Sequence, residues 1–275
     1  MTPPYGSIPS PLDEAIRARF DVGADITFKR PLDDDAMQWW HDKLGAYGLY
    51  PRELAEALTK GTSFQRAFEF EIGPGPEEIR LVTKASDAGV EVFVSGRSLL
   101  FDEKVIHLDK TTVQDGYKGQ KVGSTLLGNA YHLLRLLRFD QLQLLAAWEG
   151  TYVWARAGFL LSQKTWAEKD KPDRLRHPIR TRLEQIPRRE LPEVTKDALL
   201  KVLETDLEPT MLWRLVEVQG KVTSTRTPPD KVKLPWSLLA ETDASWYGYL
   251  PLSDRQAVDR LETYLRRNAA KGTGA

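Results

Sequence analysis

The chain has 275 residues, enough for one large domain or two small ones around a real hydrophobic core. Thirty-nine Lys and Arg balance thirty-nine Asp and Glu, so the net charge gives no reason to expect a nucleic-acid coat protein or a polybasic membrane binder. The absence of cysteine excludes disulfides, thiolate nucleophiles, iron–sulfur clusters and Cys-ligated zinc, which leaves catalysis to oxygen, nitrogen or backbone groups. No apolar run approaches a bilayer-spanning length, and the first residues lack the basic start and apolar stretch of a secretory signal, so the expectation is a cytoplasmic protein without a membrane partner.

Residues 1–11 carry Pro3, Pro4, Pro9 and Pro11 and read as a flexible extended arm. Residues 12–60 read as an N-terminal helical segment. Within it Asp33, Asp34 and Asp35 precede AMQWWHDKLGAYG, where acidic residues would meet the positive end of a helix dipole. Trp39, Trp40 and Leu44 would be its buried side. A triple Asp can also hold a metal, but no second ligand cluster accompanies it, and no metal site is expected.

From Phe64 the pattern becomes strand-like. FQRAFEFEI alternates, Gly73-Pro74-Gly75-Pro76 turns the chain, and EIRLVTKAS resumes the alternation, predicting an antiparallel hairpin. Gly89 to Val94 and Val105 to Val113 are two further extended stretches. Val122, Leu126, Leu127, Ala130, Leu133, Leu134 and Leu137 then recur at helical steps, followed by the β-rich QLQLLAA and by a short helix ending at Gly158. The order marks an α/β core over residues 61–161 with a glycine turn before its long helix. Residues 162–193, interrupted by four prolines and richer in basic than acidic residues, read as a basic irregular insertion. Residues 194–275 read as a Trp-rich extension of helices and strands, forming a separate cap or an elaboration on the core.

The segment Val113 to Gly123, VQDGYKGQKVG, carries the most chemistry. A glycine-punctuated turn between strand and helix exposes backbone N–H groups that, with the helix dipole, suit a diphosphate, and Lys118 and Lys121 add positive charge. Over residues 64 to 161 the chain resembles the acyl-CoA-binding core of the GCN5-related N-acetyltransferase (GNAT) superfamily. That family's signature runs Val-x-Pro-x-Tyr-Arg-Gly-x-Gly-Ile-Gly and then a Leu-Leu pair. Here Val113, Asp115, Tyr117, Lys118, Gly119, Lys121, Val122, Gly123, Leu126 and Leu127 stand at those positions, with Lys121 replacing the middle glycine. An aromatic residue shortly before a Gly-Phe pair is matched by Trp154, Gly158 and Phe159.

The resemblance implies a mixed, largely antiparallel sheet flanked by helices, and transfer of an acyl group, acetyl or longer, from acyl-CoA to an amine of a small molecule, peptide or protein. It makes Lys118, Gly119, Gln120, Lys121, Val122, Gly123 and Ser124 pyrophosphate binders and pairs the Val113 backbone with the pantetheine arm. The family's general base often lies on the preceding strand, where His107, Asp109 and Thr111 share one face. Either His107 or Asp109 can serve; His107 has the better intrinsic pKa, although a partly exposed strand histidine is an equal reading. Many members place an acidic tyrosine where Trp154 stands, and an indole N–H donates a hydrogen bond without giving up its proton. Tyr152, two residues away, is the other candidate.

Gly-x-Ser-x-Gly, His-Glu-x-x-His, Walker and Gly-x-Gly-x-x-Gly motifs are all absent. The reading from another class is a non-catalytic GNAT-like binding module. In it the basic stretch Lys164 to Arg189 would grip nucleic acid or an acidic protein, against which its prolines and interleaved acids favour a solvated insertion.

Overall fold

The computed structural model describes residues 12–73, 77–167, 173–205, 208–226 and 229–270. The expected arm at 1–11 and residues 74–76 of the hairpin turn lie outside them. The chain divides into two compact units, one of residues 1–103 and 110–138 and one of residues 104–109 and 139–275.

The first unit opens with a short helix α1 (Glu14–Arg17) and a three-residue strand β1 (Ile26–Phe28) that the residue pattern did not predict. Helix α2 (Asp34–Leu44) starts where the acidic run implied: the Asp33 carboxylate accepts a hydrogen bond from the Ala36 N–H at 2.8 Å. Trp40 and Leu44 are fully buried, whereas Trp39 is half-buried with its ring edge-on to Phe101. Helix α3 (Pro51–Thr59) begins on a proline, whose missing N–H costs nothing in a first turn.

Strands β2 (Gln65–Ile72), β3 (Glu78–Asp87) and β4 (Val90–Leu100) form an antiparallel meander, with β1 parallel to β2 at its edge. Strand β4 runs six residues beyond the predicted Val94, because Ser95, Gly96, Arg97 and Ser98 carry no apolar alternation yet are buried. Arg97 meets that burial by donating to the carbonyls of Gly96 (2.6 Å) and Lys110 (3.2 Å). Strand β5 (Val105–Val113) gives its last residues to this unit, and helix α4 (Val122–Leu136) follows. Leu126, Leu127, Ala130, Leu133 and Leu134 of α4 are buried. Asn129 ties α4 to the end of α3 through the carbonyls of Leu58 and Lys60.

In the second unit the first half of β5 pairs in parallel with β6 (Gln141–Ala147), from Val105 opposite Gln141 to Leu108 opposite Leu144. Helix α5 (Glu149–Ala157) ends at Gly158, whose φ of +99° and Cβ position 2.8 Å from the Ala257 carbonyl demand glycine. Strand β7 (Leu160–Leu161) and helices α6 (Lys164–Ala167), α7 (Arg176–Gln185), α8 (Glu193–Thr205) and α9 (Met211–Glu217) come next. A two-stranded ribbon, β8 (Lys221–Thr223) with β9 (Lys231–Lys233), then leads through helix α10 (Leu234–Leu239) to strand β10 (Ser245–Pro251) and helix α11 (Arg255–Ala270).

Two expectations change here. The span 162–193 is not irregular throughout: α7 tolerates Pro178 in its first turn and buries Ile179, Arg182 and Leu183. Nor is the last third a separate cap, since β10 enters the sheet itself. It pairs antiparallel with β6 over seven positions, Ser245 opposite Ala147 to Pro251 opposite Gln141, and with β7 on its other side. Trp246 and Leu250 are buried by this insertion, each worth about 2–3 kcal/mol of apolar transfer. The architecture is a mixed, largely antiparallel α/β sheet flanked by helices.

Candidate functional site

The loop after β5 belongs to the first unit. The Gln114 N–H still bonds to the Val92 carbonyl at 2.9 Å, a 3₁₀ turn spans Asp115–Tyr117, and the chain then bends through Gly119 (φ +85°) and Lys121 (φ +68°) into α4. Val113, Tyr117 and Phe64 pack beneath it on a cluster of Ala85, Val92, Phe93, Val122 and Leu126. Partial desolvation and the 3.2 Å hydrogen bond to Asp87 hold the Tyr117 phenol above its ordinary pKa, so it acts as a donor anchoring the loop.

The N-terminus of the 15-residue α4 has no side-chain cap. A Cβ placed on Gly116, Gly119 or Gly123 would meet nothing within 4 Å, so the outer side of the loop is open. Unpaired N–H groups at the positive end of a helix dipole stabilise an anion placed there.

The structure separates the roles within this stretch. Val122 is buried and offers only its backbone. The Ser124 hydroxyl is turned back onto the Lys121 carbonyl at 2.9 Å, and Gln120 Nε2 reaches the Gly116 carbonyl at 3.3 Å. Lys118 pairs with the exposed Asp115 at 2.8 Å, which offsets part of its charge. Lys121 occupies a left-handed conformation that glycine adopts freely and an L side chain adopts only at a cost.

His107 and Asp109 lie in the second unit. Alternation along β5 brings them to one face, and His107 Nδ1 is 2.6 Å from Asp109 Oδ1. Their side chains are 31% and 19% exposed, accessible to solvent without being free of the protein. Further along that face, Thr111 Oγ1 is buried without a hydrogen-bond partner. A carboxylate on one ring nitrogen fixes the tautomer and leaves Nε2 as the nitrogen able to take a proton.

The two candidates on α5 pack within aromatic contacts of their own. Tyr152 is buried, edge-on to Trp236 at 5.3 Å, with the Arg156 guanidinium 5.3 Å from its ring centroid. Trp154 packs edge-on against Phe159 at 5.5 Å. The strand-to-helix junction before them shows what the sequence did not announce: Trp148 has φ +52° and ψ −134°, a conformation costly for any residue but glycine, and leaves its indole 71% exposed. Among the described residues, no group of three or more His, Asp or Glu is arranged to hold a metal ion, and no helix is long and apolar enough to cross a membrane.

No protein-family model matches the chain, and no curated protein does. Solved structures do match in part. A nourseothricin acetyltransferase is 22% identical over 32% of this chain and 54% of its own, with a TM-score of 0.27. An acetyltransferase of the GNAT family from Staphylococcus aureus Mu50 is 19% identical over 34% of this chain and 58% of its own, with a TM-score of 0.26. The PaiA N-acetyltransferase from Thermoplasma acidophilum, in complex with coenzyme A, is 12% identical over 48% of this chain and 73% of its own, with a TM-score of 0.26. The chain thus spans little more than half the length of the first two.

Proposed function

We propose that the chain is an acyl-CoA-dependent N-acyltransferase acting on an amine. The observation that carries this reading is the open start of α4, entered through Gly119 and Lys121, both at positive φ. The residues fit a diphosphate: the backbone N–H groups of Val122, Gly123 and Ser124 have no intrahelical acceptor, and the Lys121 side chain makes no capping hydrogen bond to them. Gly119 and Gly123 leave room for it, and Lys118 and Lys121 add nearby positive charge.

Bound acyl-CoA would supply the acyl group as a thioester. The chain's own part is to hold the diphosphate on the loop amides, to align the Val113 backbone with the arm of the donor, and to accept the proton of the attacking amine. His107 Nε2 takes that proton, with Asp109 holding the ring through Nδ1. Trp154 offers an N–H donor only, so Tyr152 is the one of this pair whose hydroxyl can protonate the departing thiolate, and release of the thiolate without an acid is the alternative.

A thiol-release assay with acetyl-CoA and longer acyl-CoAs against an amine panel tests this. Turnover that requires His107 and is lost in Gly119→Glu supports the reading. Absence of turnover together with absence of acyl-CoA binding would refute it.

A further inference from the structure

The second unit contains a cavity of about 920 Å³ with a chemistry of its own, bounded by α5, the end of α9, the β8–β9 ribbon, the start of α10 and one side of α11 along its length. Its size suits a compact ligand. Five cationic side chains line it, Arg156, Lys221, Lys233, Arg260 and Arg267, against two carboxylates, Glu217 and Asp259. Glu217 Oε1 lies 2.6 Å from Arg260 Nη1, and the exposed Asp259 lies 4.0 Å from Arg255, outside the cavity. Among the described residues no carboxylate pairs with Arg156, Lys221, Lys233 or Arg267.

Two further features point to a missing anion. Lys221 and Lys233 stand directly opposite each other on the ribbon, a cross-strand placement that like charges make unfavourable unless a counter-charge lies between them. Arg260 Nε is buried with no hydrogen-bond acceptor, while its guanidinium lies 4.6 Å from the Trp213 ring centroid. Tyr152 and Tyr264 add aromatic surface. Burial holds the Tyr264 phenol above its ordinary pKa despite Arg156, which keeps its hydroxyl protonated at neutral pH.

We propose that this cavity binds a phosphorylated small molecule. Arginine presents a planar fork of donors that matches phosphate oxygens, and a facing lysine pair supplies the point charges that a phosphate group bridges. The assignment is independent of the acyltransferase reading, because every lining residue lies outside the α4 loop.

The test titrates the Gly119→Glu protein, in which the α4 loop carries a repelling carboxylate, with inorganic pyrophosphate and with ADP, followed by calorimetry. One-to-one saturation is expected with each, weakened at least tenfold in Lys221→Glu/Lys233→Glu and again in Arg267→Glu. All three positions are exposed, so circular dichroism should report unchanged folding. Saturation by pyrophosphate alone would assign the site to a bare phosphate group, and by both to a nucleotide-like phosphate. Absence of saturation, affinity unchanged in both variants, or preferential salt-sensitive binding of a single-stranded oligonucleotide would overturn the proposal.

Discussion

The imidazole of His107 lies 2.6 Å from the carboxylate of Asp109, two residues further along β5. A strand places i and i+2 side chains on the same face, so this contact is built by the backbone itself. In the proposed reaction His107→Gln should lower kcat/KM by about 10²–10⁴-fold, the usual worth of a general base. Asp109→Asn should cost less, because it disturbs the ring's orientation and leaves the accepting nitrogen in place. Steady-state thiol release with an accepted amine measures both, and a larger loss in Asp109→Asn would move the base to Asp109.

Lys121 enters α4 at φ +68°, where an L residue costs about 1 kcal/mol more than glycine. Lys121→Gly should therefore raise unfolding free energy by roughly that amount while retaining acyl-CoA binding through the unchanged amides. Urea melts and calorimetry on the same preparation check the two halves of the prediction.

Glu190 accepts hydrogen bonds from the Thr223 hydroxyl and N–H and pairs with Lys231, and these hold its pKa at about 2, below the usual 4.5. The unfolded chain binds the extra proton in that range, so the contribution is complete above about pH 4.5 and is lost as pH falls towards 2. Melts of wild type and Glu190→Gln should differ most near neutrality and converge between those values. A constant gap across them would contradict the assignment.

Gly248 sits in β10 between Leu144 of β6 and Leu161 of β7. A Cβ there would lie 2.5 Å from the Trp246 ring and 3.0 Å from the Leu144 side chain, and Trp246 is buried. Gly248→Ala should destabilise the second unit by about 1–3 kcal/mol through overpacking. Chemical denaturation measures it, and a neutral result would argue that β10 is not locked in the sheet.

How far the sequence carries depends on whether the signal is local. The Asp33 cap, the edges of β5 and β6, and the Gly158 terminus of α5 were legible because each rests on a few adjacent residues with fixed periodicity or turn chemistry. The glycine turn before α4 was legible for the same reason. Strand β10 was not, since its partners β6 and β7 lie far away in the chain and SWYGYLP carries no mark of where it pairs. Helix α7 was hidden by Pro178, which looks like a breaker until its place in a first turn is known. The basic cavity draws Arg156, Lys221, Lys233, Arg260 and Arg267 from separate elements, so no spacing in the sequence could have announced it.

Acyl-CoA binding at the α4 loop is tested by calorimetric titration of the protein with acetyl-CoA and a longer acyl-CoA, repeated on Gly119→Glu. One-to-one binding is expected for the wild type and its loss in the variant, whose carboxylate would stand where the diphosphate does. Wild-type protein that binds neither ligand, or a variant that binds as tightly as wild type, would contradict it.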